Sequence, residues 1–246
     1  GDVLPKAEQG EFTHSVEMTV PSDLAADTTH GFTMTVTSEG DSTETQTQEF
    51  SATVEQCYGL TLSVNETNRN ANPGDTIAFV LTIINSGNDL DYVNLPSPTL
   101  PAIWIGTYTD TTFVLGNSES KTVYLNVEVP DNALGGDGVT ITAKVNSDQT
   151  GQSETVTFTV SVNQVYGIST SYYYNSSTAS TSVEQGIMKQ MRFNITNNGN
   201  GVDTLSLCLA NAPSWAALGA ETLDIGRGQT IPIIVTLSPD TAALSG

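Results

Sequence analysis

Apolar and polar side chains alternate strictly along Lys121–Pro130. A period of two places successive residues on opposite faces of an extended chain, so this stretch is predicted to be a β-strand with one buried face. We expect the strand to end at Pro130, because proline has no N–H to donate to the next rung of a sheet. The apolar positions of the predicted inner face are Val123, Leu125, Val127 and Val129.

The same pattern occurs twice more, at Ser15–Pro21 and at Ile231–Pro239. The predicted inward positions of the earlier copy are Val16, Met18 and Val20. Each copy closes on a proline, and these prolines are Pro21, Pro130 and Pro239. They stand at equal intervals of 109 residues, which indicates a tandem repeat of a size typical of immunoglobulin-like sandwiches.

Two copies of a short signature indicate where the repeated units meet. Cys57–Leu60 reads Cys-Tyr-Gly-Leu, and Val165–Ile168 reads Val-Tyr-Gly-Ile. The division gives residues 1–57 as the C-terminal half of a unit, 58–165 as a complete unit, and 166–246 as a unit that lacks its last strands. We expect either that the chain continues in both directions, which is the preferred interpretation, or that neighbouring subunits complete the partial units by adding strands.

The complete unit is predicted to contain about seven short strands separated by turns. Pro73–Asp75 and Asn85–Asn88 are strong turn signals, and no helical periodicity of useful length interrupts the pattern. This spacing predicts an all-β fold of tandem immunoglobulin-like antiparallel β-sandwiches with a repeat of about 109 residues. Because almost no linker separates the units, consecutive units should hold a fixed relative orientation.

The charge balance limits the possible partners. Acidic residues outnumber Lys and Arg by 27 to 7, which gives a net charge of −20, although only 14% of residues are charged. Nucleic-acid binding requires basic patches, so that class is excluded. The acidity is explained either by solubility in salty water or by acidic loops that hold divalent cations. No hydrophobic run reaches the length of about 18 residues that a membrane helix needs.

The signals of the middle unit follow one another in the order Pro73–Thr76, an alternating strand, Asn85–Asn88, Trp104 and Lys121–Pro130. In this order they resemble the Ig-like repeats of archaeal and some bacterial surface proteins, the CARDB-like and NPCBM-associated domains of cell-envelope proteins. The resemblance covers essentially the whole chain, although Glu184–Gly186 stands where the Pro-Gly-Asp turn is expected in the third unit. It implies an extracellular, cell-surface location, and the composition is similar to that of archaeal S-layer or filament proteins.

Groups that could perform catalysis are scarce. The two histidines, His14 and His30, lie in the partial first unit, without a serine elbow, a metal-binding His/Cys spacing or a phosphate loop. We therefore interpret the chain as a non-enzyme that requires no cofactor. The two cysteines, Cys57 and Cys208, fall in different units and are predicted to be buried thiols without a mutual disulfide.

Three sequons and one acidic cluster are the candidate sites. The possible N-glycosylation positions are Asn65, Asn175 and Asn194, of which Asn194 is predicted to point outward between two inward residues. Asp89 and Asp91, after the Asn-Ser-Gly-Asn turn, are weak calcium candidates, since carboxylates in loops suit Ca²⁺. The alternative is that these aspartates are solvated turn residues.

These observations predict a structural extracellular protein, an S-layer or filament segment that self-associates into a polymer or lattice. Two alternatives remain open. The chain could be an adhesin or carbohydrate-binding stalk, with Tyr172–Tyr174 as the candidate sugar platform, or a non-catalytic spacer of a large secreted hydrolase. The alternative role for those tyrosines is an edge strand that packs on a neighbouring unit.

Overall fold

The computed structural model describes residues 15–172 and 180–241, and within these ranges the protein is all-β, with 17 strands and no α-helix. We keep the predicted ranges as names: the first unit is 1–57, the middle unit 58–165 and the third unit 166–246. As expected from the alternating sequence, most strands present one apolar and one polar face. In the part of the chain that is described, no helix is long and apolar enough to cross a membrane.

The middle unit is a sandwich of two sheets. Its strands are β3 (Leu60–Val64), β4 (Asn68–Ala71), β5 (Thr76–Asn85), β6 (Asp91–Asn94), β7 (Ile105–Tyr108), β8 (Thr112–Leu115), β9 (Ser120–Glu128), β10 (Gly138–Ser147) and β11 (Ser153–Val162). One sheet has the order β3-β5-β9-β7 and the other the order β4-β11-β10-β6-β8. All neighbours pair antiparallel except β4 and β11, which are parallel.

The core of the middle unit lies between these two sheets. The rings of Phe79 in β5 and Phe158 in β11 pack with centroids 4.2 Å apart, so the two sheets meet at an aromatic pair. The inner positions predicted for β9 are all buried, as are Leu81 and Ile83 in β5. Fully burying side chains of this size stabilises a fold by about 1.5–3 kcal/mol each.

The first unit is described from residue 15 onward and contains one hairpin. Its strands are β1 (Thr29–Thr37) and β2 (Thr45–Thr53), which pair antiparallel over their whole length. The prediction that Ser15–Pro21 forms a strand with an inner face is wrong: residues 15–21 lie outside any strand, and Val16 is 75% exposed. The corresponding strand β9 is held between β5 and β7, and the described residues of the first unit provide no such neighbours.

The third unit repeats the order of the middle unit as far as it extends. Its strands are β12 (Ile168–Tyr172), β13 (Lys189–Asn197), β14 (Asp203–Ser206), β15 (Ala216–Leu218), β16 (Thr222–Ile225) and β17 (Thr230–Leu237). Four of them form the sheet β12-β13-β17-β15, and β14 and β16 form a two-stranded sheet opposite. Its core is correspondingly small and is centred on Ile195, Leu205, Ile225 and Ile233.

The middle unit has two strands more than the sequence predicts. β4 reads Asn-Arg-Asn-Ala and β7 reads Ile-Gly-Thr-Tyr, and both are only four residues long. Neither carries the repeated apolar alternation by which the longer strands were predicted. They form because β11 and β9 present free sheet edges to them.

Candidate functional site

The turn after β5 links the two sheets of the middle unit. Asn85 is buried, and its amide nitrogen donates to the backbone carbonyls of Asp89, Leu115 and Gly116 at 2.6, 3.0 and 3.1 Å. Its side-chain oxygen accepts from the Gly87 N–H at 2.9 Å. A buried amide must be paired in this way, and here the pairing fixes the turn that follows.

The last residue of this turn, Asn88, joins the middle unit to the first. Its side-chain oxygen accepts from the Cys57 N–H at 2.8 Å, and its amide nitrogen donates to the Glu55 carbonyl at 3.0 Å. Its backbone N–H donates to the Cys57 carbonyl, and its carbonyl accepts from the Ala26 N–H, both at 3.1 Å. One asparagine thus binds two separate segments of the preceding unit.

Asn200 makes the same contacts at the second junction. Its side-chain oxygen accepts from the Val165 N–H at 2.7 Å, and its amide nitrogen donates to the Asn163 carbonyl at 3.0 Å. Its backbone N–H donates to the Val165 carbonyl and its carbonyl accepts from the Gly135 N–H, both at 3.1 Å. A further bond from its amide reaches the Ala133 carbonyl at 3.3 Å. We call these two sets of contacts the asparagine clamps.

A glutamine of the preceding unit adds one further bond at each junction. The Gln56 amide donates to the Leu90 carbonyl at 3.5 Å, and the Gln164 amide donates to the Val202 carbonyl at 2.6 Å. Every acceptor or donor on the opposite side is a backbone group. The clamps carry no charge, so screening by salt has little effect on their strength.

Glycine is required in both turns because the backbones approach closely. A Cβ atom at Gly87 would lie 2.4 Å from the Cys57 carbonyl oxygen, and one at Gly199 would lie 2.6 Å from that of Val165. Neither oxygen belongs to a flexible side chain. In the Asn-x-Gly-Asn turn, the first asparagine therefore fixes the turn and the glycine permits close contact between the backbones. The last asparagine binds the neighbouring unit.

The two calcium candidates lie in different surroundings. Asp91 begins β6, is 1% exposed, and its Oδ1 accepts a hydrogen bond of 2.8 Å from the Ser147 hydroxyl in β10. It therefore faces the interior and joins two strands, whereas Asp89 is half-buried in the turn. Among the described residues no three His, Cys, Asp or Glu side chains gather in a group that could hold a metal ion. The calcium site stays a prediction.

Two of the three sequon asparagines lie among the described residues. Asn65 is exposed after β3, and its side-chain oxygen accepts from the Val80 N–H at 3.0 Å. Asn194 is half-buried in β13, between β12 and β17. Asn175 lies outside the described residues. Glycosylation stays a prediction at all three positions.

The remaining candidates are single exposed side chains. Tyr172 ends β12 with 44% of its surface exposed, while Tyr173 and Tyr174 lie outside the described residues, so the sugar platform stays a prediction. His30 is exposed in β1, and His14 lies outside the described residues. The prediction of buried thiols is wrong: Cys57 and Cys208 are both exposed and unpaired, because each lies in a connection rather than on an inner strand face.

The asparagine clamps are the site that the sequence interpretation missed. Asn85–Asn88 forms the turn that its sequence predicts, but a turn signal does not predict contacts with the preceding unit. A signal was available, since both turns recur together with the Tyr-Gly signature at each predicted boundary. A turn that recurs at each junction between units is a candidate for a contact that joins those units.

Comparisons with known proteins give no family. No protein-family model matches the chain, and no curated protein matches it. Among solved structures, a family 123 glycoside hydrolase from Clostridium perfringens is similar at 12% identity and a TM-score of 0.36, over 42% of this chain and 27% of the hydrolase. A FixG-related protein from Vibrio parahaemolyticus is similar at 12% identity and a TM-score of 0.34, over 43% of this chain and 95% of that protein.

A third similar structure is the CsuC–CsuE chaperone–tip adhesion subunit complex of Acinetobacter baumannii. It matches at 11% identity and a TM-score of 0.32, over 76% of this chain and 90% of that one. Likenesses this distant carry no argument about what the chain does. The function has to be inferred from the chain's own surfaces.

Proposed function

We propose that the chain is a structural segment of an extracellular surface layer or filament, in which tandem Ig-like units form a stiff rod that self-assembles. The observation that supports this most directly is the repetition of the asparagine clamp. Asn88 and Asn200 make the same four bonds to corresponding groups of the unit before them. In return, Gln56 and Gln164 of that preceding unit each donate to a carbonyl of the unit that follows.

Repeated contacts of this kind favour a rod over a flexible string. When the same groups meet at successive junctions, each unit is related to the next by nearly the same rotation and translation. A lattice or filament needs subunits of fixed shape, because contacts between neighbours recur only if the spacing of the contact groups is constant. Flexible linkers between units would lose that spacing.

The surface composition agrees with this role. Most polar residues are uncharged Thr, Ser and Asn, because only 14% of residues are charged. The net charge is nevertheless −20. A strongly acidic surface keeps rods soluble and apart until a specific contact or a cation brings them together. Glycans at Asn65 or Asn194 would extend the polar coat. Among the described residues the Asn65 side chain is bonded through its oxygen alone, so its amide nitrogen is available for that linkage.

Electron microscopy of the native cell-envelope fraction, with the protein located by antibody, tests the proposal. The expected result is a periodic sheet or filament that carries the label at a regular interval. The same fraction treated with a calcium chelator tests the aspartates separately: loss of order would identify calcium as a component, and retained order would leave Asp89 and Asp91 as structural residues. Label on dispersed particles in both samples would overturn the structural proposal.

A further inference from the structure

The two Asn-Gly dipeptides of the chain both lie in the turn of the second clamp. They are Asn198-Gly199 and Asn200-Gly201, so this turn reads Asn-Asn-Gly-Asn-Gly, whereas the turn at the first junction reads Asn-Ser-Gly-Asn-Asp. The asparagine that binds the third unit to the middle unit is therefore followed by glycine, while its equivalent Asn88 is followed by aspartate.

An asparagine that precedes glycine is prone to lose its side-chain amide. The backbone nitrogen of the glycine attacks the asparagine Cγ, because glycine has no Cβ to hinder the approach or to restrict the backbone. A new N–C bond closes a cyclic imide, the C–N bond of the carboxamide breaks, and ammonia leaves with the proton of the backbone nitrogen. Water then opens the ring at either carbonyl, which yields aspartate or isoaspartate.

The clamp opposes this reaction at Asn200 while the two units are docked. The side-chain oxygen accepts from the Val165 N–H at 2.7 Å, and the nitrogen donates to the Asn163 and Ala133 carbonyls at 3.0 and 3.3 Å. Ring closure has to bring Cγ to bonding distance of the Gly201 nitrogen, and these three bonds resist that movement. Asn200 is also only 7% exposed, so little water reaches it to take up the proton and open the ring.

The glycine of this dipeptide is covered by the middle unit. A Cβ atom at Gly201 would lie 3.2 Å from both Cδ and Nε2 of Gln164, so the glutamine side chain lies directly against this glycine. The Gln164 amide is held there by its 2.6 Å bond to the Val202 carbonyl. Among the described residues the Gly201 N–H donates no hydrogen bond, so its nitrogen is not engaged elsewhere.

The neighbouring dipeptide is protected in a different way. Asn198 is exposed, but the Gly199 N–H is buried and donates to the Asn197 side-chain oxygen at 2.8 Å. The Asn197 amide in turn donates to the Gly201 and Ile225 carbonyls, both at 2.9 Å. All these groups belong to the third unit. Separation of the units therefore removes the protection of Asn200 and leaves the bond that protects Asn198 in place.

The products of the reaction cannot rebuild the clamp. A carboxylate accepts hydrogen bonds and donates none, so it can still accept from the Val165 N–H but would turn an oxygen towards the Asn163 and Ala133 carbonyls. A buried charge in such surroundings is strongly unfavourable. Isoaspartate also adds a carbon atom to the backbone of the turn, which displaces the groups on either side of it.

We propose that Asn200 is a spontaneous deamidation site that the junction controls. Docked units hold the side chain unreactive, and each opening of the junction allows it to react with Gly201. The carboxylate product then weakens the contact permanently, so transient separation by heat or force becomes a lasting loss of the fixed orientation between these two units. The proposal requires the junction alone and does not depend on self-assembly.

Mass spectrometry of the full chain, incubated at neutral pH and then digested with trypsin, measures the reaction. Cleavage after Arg192 and Arg227 gives a peptide that contains both dipeptides, each deamidation adds about 1 Da, and fragmentation assigns it to Asn198 or Asn200. We expect Asn200 to react at least about tenfold more slowly in the native protein than in urea, because three hydrogen bonds must break. Equal rates would overturn control by the junction, and no reaction at Asn200 in urea would overturn the site itself.

Gly135→Ala opens the clamp from the side of the middle unit. Its Cβ would lie 2.8 Å from the Asn200 side-chain oxygen and 2.8 Å from the Gln164 Cα, so the docked side chain has to move. We expect deamidation at Asn200 to become roughly tenfold faster, with Asn198 unchanged. Gly138→Ala is the matched control, since its methyl group meets no atom within 4 Å, and its rate should stay within about twofold of the unmodified chain.

Gln164→Ala is a second variant that crowds no atom. It removes the side chain that covers Gly201, and we expect deamidation at Asn200 to become about threefold faster or more. Gln152→Ala, which removes another exposed glutamine of the same unit, should leave the rate unchanged. If neither Gly135→Ala nor Gln164→Ala accelerates the reaction, or if Asn198 accelerates equally, control by the junction is overturned.

Asn200→Asp reproduces one product and tests its effect on the junction. The Gly135 N–H donates across the junction to the Asn200 backbone carbonyl at 3.1 Å, so hydrogen exchange at this amide, followed by NMR, reports docking. We expect exchange at least about tenfold faster in Asn200→Asp, and within about twofold of the unmodified chain in Asn198→Asp, which adds the same charge at an exposed position. Unchanged exchange in Asn200→Asp would overturn the permanent weakening. The microscopy of the envelope fraction decides the proposed function independently of all these outcomes.

Discussion

Replacing Asn200 by alanine tests how firmly the clamp holds the third unit to the middle unit. The side chain accepts a hydrogen bond from the Val165 N–H at 2.7 Å and donates to the carbonyls of Asn163 and Ala133 at 3.0 and 3.3 Å. Each such bond contributes a net stabilisation of about 0.5–1.5 kcal/mol, and water can reach the exposed partners once the amide is lost. We expect Asn200→Ala to lower the free energy of unfolding of the third unit by roughly 3 kcal/mol.

The position of the two tryptophans allows this unit to be followed alone. Trp104 lies in the middle unit and Trp215 in the third, so a Trp104→Phe background leaves a single indole that reports on the third unit. Urea denaturation of a small domain has a slope of about 1–3 kcal/mol per molar, so the expected loss lowers the midpoint by about 1–3 M. Dilute protein, shown by sedimentation to be a single chain, removes any contribution from contacts between copies.

Asn198→Ala is the matched control for this measurement. Asn198 belongs to the same turn and is exposed, and within residues 15–172 and 180–241 its side chain makes no hydrogen bond. Its replacement should leave the midpoint within about 0.3 M of the background protein. Equal midpoints for Asn200→Ala and Asn198→Ala would refute the view that the clamp couples the two units.

Three further predictions concern the middle unit. Gly87→Ala should destabilise the junction by about 1–3 kcal/mol, because its Cβ would lie 2.4 Å from the Cys57 carbonyl oxygen, and a lower urea midpoint would record this. Ser147→Ala should lower the free energy of unfolding by about 2–3 kcal/mol, measured by Trp104 fluorescence, because buried Asp91 loses the hydroxyl that donates to it. Burial raises the pKa of Tyr108 from its ordinary value of 10.0 to about 12. The unfolded chain therefore loses this proton at lower pH than the folded one, and the free energy of unfolding should fall as the pH rises from about 10 to about 12, as denaturation at a series of pH values would show.

Each of these has its own control. Gly138→Ala adds a methyl group where no atom lies within 4 Å, and a loss as large as that of Gly87→Ala would contradict the steric explanation. Ser153→Ala removes an exposed hydroxyl, and the explanation for Asp91 fails if both serine variants are equally stable. For Tyr108, the last step in the ultraviolet titration of tyrosine should disappear in Tyr108→Phe, and its persistence would rule out the assignment.

The sequence predicts the long strands well because their apolar faces decide where they lie. β5 is the alternating strand expected between the turn signals Pro73–Asp75 and Asn85–Asn88, and its inner positions are fully buried. Alternation in β6 also indicates which way Asp91 faces. Val93 and Leu95 follow it at a spacing of two, and both are buried, so an inward carboxylate at position 91 follows from the phase of the strand.

What the sequence pattern does not predict depends on contacts between distant segments. Ser15–Pro21 has the alternation of a strand, yet a strand also requires neighbours to pair with, and a local pattern does not reveal whether they are present. The contacts of Asn88 escape prediction for the same reason. A turn motif specifies the path of its own backbone, whereas the Cys57 and Glu55 groups that Asn88 binds are more than thirty positions earlier in the chain.

The Asn88 and Asn200 side chains bind only backbone groups of the preceding unit, and this has a consequence for how such chains change over time. The Asn88 and Asn200 side chains meet N–H and carbonyl groups that every residue except proline offers. A unit can therefore be duplicated, deleted or exchanged within a gene without the two sides of a junction having to adapt to each other. Mutation can then change the length of such a chain by whole units, while the rotation and translation that relate one unit to the next stay the same.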